Sequence, residues 1–597
     1  MRSKIFTWSV RLTFFVLVTV TASSCRNMFD VLPEDAVDES KAWQNIYDAD
    51  AGVTGVYGQL LSVAGQYEVL NELRGDLMDV TVNSDSYLKQ INTHTVTGDN
   101  PYANPKPFYA VIQNCNDVMK NLRLMYDSRK IGKSDFDQRY SDMGALRSWL
   151  YFQLGIHFGQ IPYVTEAIEN IDDVKDPAKF RRLNLDELVP ELISFMESLP
   201  YKDAYASGSS LNTQIDGYPS KLFFVNKYCV LGDLYLWKND YHNAAIAYKQ
   251  VLETSTPLGD AAGDIYYNQF VGSSGSVDEI KTSAYQGFFS RSLQDKEFQW
   301  EWIWTMVFDK NFRPANPFID LFSNAGGKYL VKPSAVAISN WKAQDQTDNT
   351  PYDLRGENNS YKMINGQPVI MKFLYNYLNA TTGVPANTLE KNGKWFLYRA
   401  SLLHLRYAEA ANREGYDKIA YALINQGIRT TYSFNPNTSV ETEKSATFLP
   451  EPYNLDGRKI DAPRIRGKFH RNLGIRGRMN AKVSGLSYAD SVAYFNGVER
   501  DAPGYEQFYP NRTVKDRAGL TLFMENKIID EGALELAYEG NRWQDLLRIA
   551  FRREKEMAGS GLSFLNGKIK AKFNASGSGG FTEKTSMSQW FLPFEWE

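Results

Sequence analysis

The sequence predicts a mostly α protein, a scaffold of helix-turn-helix pairs interrupted by one large insertion of loops and short strands. Three observations predict it. Apolar residues recur at three- and four-residue steps over about 41–255, 396–434 and 521–555. The stretch 257–395 instead turns rich in Gly, Asn, Pro and Ser, with strand-like runs at 298–308 and 369–377. A third feature is an alternation of small and large residues near 230 that suits two closely approaching helices. The 597 residues, 43% hydrophobic and 23% charged, leave ample chain for a core. With 42 Gly and 23 Pro the composition is neither fibrous nor low-complexity. A net charge of −4 with no strongly basic stretch argues against nucleic-acid binding. Three cysteines exclude a disulfide-framed scaffold. The 36 Tyr, 34 Phe and 12 Trp are a surplus of rings that suits half-exposed binding surfaces as well as cores.

Residues 1–24 read as a secretory signal peptide. Arg2, Lys4 and Arg11 give a positive start, and Leu12 to Ala22 is uncharged and mostly apolar. As a helix that run rises about 16 Å, too short for a bilayer core of roughly 30 Å. Ala22-Ser23-Ser24-Cys25 resembles a bacterial lipoprotein cleavage box, which makes Cys25 the expected lipidated N-terminus. Acyl chains worth about 0.8 kcal/mol per buried methylene would hold the chain on a membrane. Residues 25–40 follow as a polar tether, and 41–597 are read as one domain. Cys115 and Cys229 fall in helical patterns, so buried free thiols are expected rather than a disulfide.

Helical pairs are expected near 145, 230, 405 and 535. In 225–253, Leu231-Gly232 and Tyr235, then Tyr241, Ala244 and Tyr248, follow the tetratricopeptide layout. Ala145 to Phe158 and Leu402 to Asn425 echo it, and a fourth helical block runs from Lys527 to Arg553. These pairs must pack across the ligand-binding insertion at 257–395 and a loop-rich segment at 435–520. Within the fourth block Glu535, Glu539 and Arg542 share one helical face, with Asp545 and Arg548 a turn further on. Basic partners at that spacing favour an ion-paired face over catalytic carboxylates, and Trp543 is expected in the core.

Enzyme signatures are missing. The five histidines are scattered, and no HExxH, GxSxG, Walker loop, dinucleotide fingerprint or EF-hand loop occurs. No catalytic residue, metal site or cofactor is therefore implied. Candidate ligand-binding residues are aromatic. Trp300, Trp302 and Trp304 alternate, so on a strand they share a face. At least one belongs to the core, whereas Trp300 or Trp304 could offer an indole to the C–H face of a sugar ring. Tyr102 lies in the turn-rich stretch 98–105, which would display a ring among amides. Trp341 is flanked by polar residues in the insertion, and Tyr285, Phe288 and Phe289 fall in an expected loop. Arg74 and Asp76 could exchange hydrogen bonds near the Tyr102 loop.

Four blocks carry a family resemblance: Gly144-Ala145-Leu146-Arg147 through Phe158-Gly159-Gln160-Ile161-Pro162-Tyr163; Arg406-Tyr407-Ala408-Glu409-Ala410; Ile528 to Arg548; and the closing Trp590-Phe591-Leu592-Pro593 with Glu595. In order and spacing they resemble the SusD/RagB family of Bacteroidetes outer-membrane lipoproteins. The resemblance implies a surface-exposed, lipid-anchored protein of the outer membrane that captures an oligosaccharide without cleaving it. It also implies hand-over to a SusC-like TonB-dependent transporter, and ligand sites in the N-terminal loop region and the insertion. A peptide-binding RagB-like role, a surface glycosidase and a pure interaction scaffold remain alternatives.

Overall fold

The computed structural model describes residues 42–168, 172, 175, 180–215, 218–253, 285–290, 301–379, 381–385, 387–432, 445–461, 464–470, 472–497, 514–577 and 580–595. The expected signal peptide, Cys25 and Trp300 lie outside these residues. Helix α1 (Ile46–Leu60) starts at a reciprocal cap between Asn45 and Asp48. A short helix and a π-helical turn, Val69–Leu73, lead to strand β1 (Met78–Val80) and α2 (Ser86–Thr93). Long helices α3 (Lys106–Asp127) and α4 (Lys133–Phe158) form the first antiparallel pair. Strands β2 (Gln160–Pro162) and β3 (Arg182–Asn184) pair, and α5 (Leu185–Ser198) follows from another reciprocal cap, Asn184 with Glu187.

The second pair is α6 (Lys227–Lys238) and α7 (Tyr241–Leu252). The insertion contributes β4 (Trp302–Phe308), β5 (Val331–Pro333), α8 (Ala335–Lys342) and β6 (Gly393–Arg399). The third pair is α9 (Ala400–Arg413) with α10 (Asp417–Ile424). Helix α11 (Arg517–Glu535) then precedes the fourth pair, α12 (Arg542–Glu556) and α13 (Ser560–Ser576). Helix α7 packs on α9 although the insertion separates them in sequence. The tetratricopeptide-like scaffold with an irregular insertion is therefore the observed architecture.

The small-for-large alternation works as the sequence implied. A Cβ at Gly232 would run into the Tyr248 ring, so glycine sets how closely α6 and α7 approach. The Tyr248 hydroxyl then donates to Asp233, 2.7 Å away, which also takes bonds from Tyr398 and Arg406. Thus β6, at the end of the insertion, and α9, just beyond it, are tied to the second pair. Both Cys115 and Cys229 are buried free thiols.

The fourth block differs from its sequence reading. It is not one helix, because α11 stops at Glu535 and the chain reverses through Tyr538 (φ 73°) and Gly540 (φ 70°). The reversal is held from afar: the Glu72 carboxylate accepts the backbone N–H groups of Tyr538, Asn541 and Arg542 at 3.0, 2.9 and 3.2 Å. An anionic cap on a helix N-terminus is favourable, yet burial still pushes the Glu72 carboxyl up to about 7. Ion pairing is present along the helix, where Arg548 meets Asp545 at 2.7 Å, and more extensively across the fold. Arg542 pairs with Asp76 at 2.6 Å, and Arg548 and Arg552 both grip Glu409 of α9.

Deeper still, Glu301, Asp353, Glu531, Glu535 and Glu539 are all buried. Arg355 reaches Glu531 and Glu535 at 2.6 and 2.9 Å, and Arg399 reaches Glu301 and Glu535 at 2.7 Å each. Lys372 pairs with Glu539 at 2.6 Å, Arg476 with Glu531 at 2.8 Å and Arg478 with Glu301 at 3.1 Å. These charges bind the insertion and the segment holding Arg476 and Arg478 to α11 and the turn that follows it.

Candidate functional site

The N-terminal segment and the insertion meet edge to edge. Strand β1 pairs antiparallel with β5, Met78 opposite Pro333 and Val80 opposite Val331. Beyond that ladder, Thr81 donates to the Tyr329 carbonyl at 2.6 Å and Asn83 to that of Lys328 at 3.0 Å. The Tyr102 loop sits against the same region. Buried Asn100 builds it, donating to the Tyr87 carbonyl (3.0 Å) and the Gln90 side chain (2.9 Å) while accepting the Tyr102 N–H. Gln66 donates to the carbonyls of Tyr102 (2.8 Å) and Asn104 (2.7 Å). Its neighbour Gly65 abuts Pro317, where a Cβ would lie 3.1 Å from the proline Cβ. So residues 65–66 touch the Tyr102 loop through Gln66 and Pro317, the end of the insertion loop that carries Phe312, through Gly65.

This face can hold a saccharide. The Tyr102 ring is half-buried, with no aromatic neighbour and no hydroxyl bond among the described residues. Burial, aided by the Asp85 carboxylate, pushes its phenol up to about 12, so it remains a neutral donor at physiological pH. Asp85, Asn83 and Asp99 are exposed, as is Phe312, 74% accessible on the insertion loop. A half-exposed ring beside exposed polar side chains suits stacking on a sugar's C–H face, although Asp85 also caps α2, Asn83 bonds the Lys328 carbonyl and Asp99 accepts from Thr97. Sequence reading missed Phe312 and Asp85. The signal was available for the phenylalanine: Asn311-Phe312-Arg313-Pro314-Ala315-Asn316-Pro317 has the same turn-rich composition that singled out Tyr102.

The other candidate residues are not on this face. Trp304 is 2% exposed, its indole N–H on the Phe223 carbonyl at 3.0 Å and its ring edge-on to Trp149. Trp302 stacks on Phe396 with ring centroids 4.4 Å apart. Both faces of β4 are covered, since Ile303 and Thr305 are buried as well. Trp341 is fully buried against Tyr361 and donates to the Leu534 carbonyl at 3.1 Å. Tyr285 begins a helical turn, not a loop, and its hydroxyl donates to the Glu535 carbonyl at 2.9 Å; Phe288 and Phe289 are buried beside it. Arg74 lies under the Trp543 ring, 4.1 Å from its centroid, and donates to the Trp590 carbonyl. Asp76 is used by Arg542, whose charge outweighs burial and holds the carboxyl below its ordinary range. Each is a core residue, because tertiary partners from segments far away in sequence cover it.

Among the described residues no group of His, Cys, Asp and Glu is arranged to hold a metal. None of their helices is long and apolar enough to cross a membrane.

No family model matches the sequence. A curated relative, SusD-like protein P2 of Formosa agariphila, is 25% identical over 243 residues, 39% of this chain. The match spans 44% of that relative, less than half its length. Among solved structures, a SusD superfamily protein from Bacteroides vulgatus superposes with a TM-score of 0.53 at 13% identity, covering 92% of this chain and 96% of that one. Surface glycan-binding protein A from Bacteroides thetaiotaomicron, solved in complex with laminarihexaose, gives 0.51 at 13% identity with the same coverage. Helix pairs carrying an inserted loop-and-strand region are therefore a fold that this chain shares with those solved structures.

Proposed function

We propose that this chain is a cell-surface glycan-binding lipoprotein, anchored in the outer membrane through Cys25. It captures an oligosaccharide on the face carrying Tyr102 and Phe312 and passes it uncut to a SusC-like TonB-dependent transporter. The observation that carries the reading is the Tyr102 loop. Asn100 and Gln66 fix its backbone and leave the ring half-exposed. The glycan complex of a structural neighbour supports the ligand class. Binding without cleavage is supported by the carboxylates of the Ile528–Arg548 block, where Glu531, Glu535 and Glu539 are spent on arginine and lysine. Two or three ring contacts give about −4 to −8 kcal/mol, millimolar to micromolar affinity, weak enough for release.

The test is calorimetry of the chain from residue 26 onward against plant, host and microbial oligosaccharides, laminarihexaose included, with an assay for new reducing ends. Saturable binding without cleavage is expected. Tyr102→Ala and Phe312→Ala should each weaken it by about 1–2 kcal/mol, roughly 5- to 30-fold, at unchanged melting temperature. New reducing ends, or full affinity in the double variant, would refute the reading.

A further inference from the structure

A second cleft lies on the opposite kind of surface, among scaffold helices rather than loops. It holds about 590 Å³ between α3, α4 and α5 and the segment after β2. Its walls include half-buried Tyr140, Tyr163 and Phe195, exposed Lys120 and Arg123, and buried Arg147. Arg147 is the unusual member. Among the described residues every other buried arginine except Arg74 reaches a carboxylate within 4 Å, as with Arg355, Arg399 or Arg548. Arg74 is enclosed, its Nε buried without a partner. Arg147 instead opens on the cleft while only 4% exposed.

Its guanidinium is also fixed in place. Nη1 donates to the Asn116 side chain at 2.7 Å and to the Thr165 carbonyl at 2.9 Å. Asn116 in turn donates to the carbonyls of Val164 and Glu166, both at 3.1 Å. Phe195 backs the guanidinium plane, 4.5 Å from its ring centroid. Nε and Nη2 make no hydrogen bond among the described residues. That pair forms the edge with which arginine grips a planar anion through two parallel bonds. Burying a cation without a counter-charge is unfavourable, so an open guanidinium in a walled cleft suits an anionic guest. Two exposed carboxylates, Glu166 and Glu191, also line the cleft, against the three cations.

We propose that this cleft is a second saccharide site that takes an acidic sugar, its carboxylate or sulfate seated on the Nε–Nη2 edge of Arg147. Tyr140 and Tyr163 meet the apolar face of the ring. The saccharide class rests on the proposed function, whereas the need for an anion rests on Arg147. The site is separate from the Tyr102 face and gives the chain a means of favouring charged glycans.

The test is titration of the same soluble chain with galacturonate and glucuronate oligomers, sulfated oligosaccharides and neutral oligomers of equal length. An acidic glycan should bind, with affinity falling as salt rises. Ser194→Glu, an exposed change on the cleft wall that leaves Arg147 intact, should weaken it about tenfold or more and leave neutral binding untouched. Arg147→Lys keeps the charge but loses the fork, so it should weaken carboxylated and sulfated sugars while thermal unfolding confirms the fold. The relative response of these two ligand sets tells carboxylate from sulfate. No binding across the acidic panel, or acidic binding unchanged in Ser194→Glu, would overturn the proposal. If Tyr102→Ala with Phe312→Ala abolished acidic binding as well, the cleft would be refuted and the loop face upheld. Acidic binding lost only in the cleft variants, with no neutral glycan bound, would uphold the cleft and refute the loop face.

Discussion

Glu535→Gln is expected to destabilise the protein by about 3–5 kcal/mol, the cost of removing one partner from a buried ion-pair network. Glutamine keeps the volume and the helix end, so the loss is electrostatic. Glu535 neutralises Arg355 and Arg399 and accepts the Ser401 hydroxyl at 2.9 Å. Burial alone would raise its carboxyl, but Arg399, Arg355 and Arg478 outweigh burial and hold it far below the usual range. A denaturant midpoint measures the effect. The control is Glu583→Gln, whose partner Lys570 is more than half exposed, and which should cost under about 1 kcal/mol. Equal midpoints for the two variants would contradict the account.

Trp341→Ala is expected to cost about 3–5 kcal/mol of stability, as for other large-to-small changes in a core. It removes a fully buried indole that packs on Tyr361 and bonds the end of α11. Saccharide affinity per folded molecule should stay at the wild-type value, measured below the lowered melting temperature. Tyr102→Ala should do the reverse. A folded Trp341→Ala protein that no longer binds any glycan would restore this residue to the site.

The charge networks also set the acid limit of stability. Burial tends to raise the Glu409 carboxyl, but Arg548 and Arg552 prevail and bring it down to about 2. A lowered carboxylate stabilises the fold above its ordinary value near 4.5. That contribution is lost as pH falls from there toward about 2. Melting temperature should therefore drop steeply across this window, and Glu409→Gln should flatten the slope while lowering the plateau at neutral pH. An unchanged slope in the variant would show that other carboxylates control acid unfolding.

Periodicity and small-residue spacing were enough to find the second and third helix pairs and to mark the helices of the first and fourth, since Gly232 against Tyr248 is a local rule read along the chain. The turn that carries Tyr102 was legible for a similar reason, because Asn-Pro turns and their Asn caps are short-range chemistry. Basic residues at helical spacing likewise foretold that Glu535 and Glu539 would be ion-paired rather than catalytic. That spacing could not name their partners, Arg355, Arg399 and Lys372, which arrive from the insertion and β6. Nor could helical spacing anticipate the reversal at 536–541, since Glu72, more than 460 residues earlier, holds it by three backbone bonds. Whether a tryptophan is platform or core depends on what covers it. For Trp304 and Trp341 the cover comes from Trp149, Phe223, Tyr361 and Leu534, none of them near in sequence. The sequence by itself determined the repeating scaffold and the turn that presents Tyr102, because both follow from interactions between neighbours along the chain. Tertiary structure alone decided which rings are covered and that buried Arg147 faces a cleft without a carboxylate partner, because burial and pairing depend on distant segments meeting.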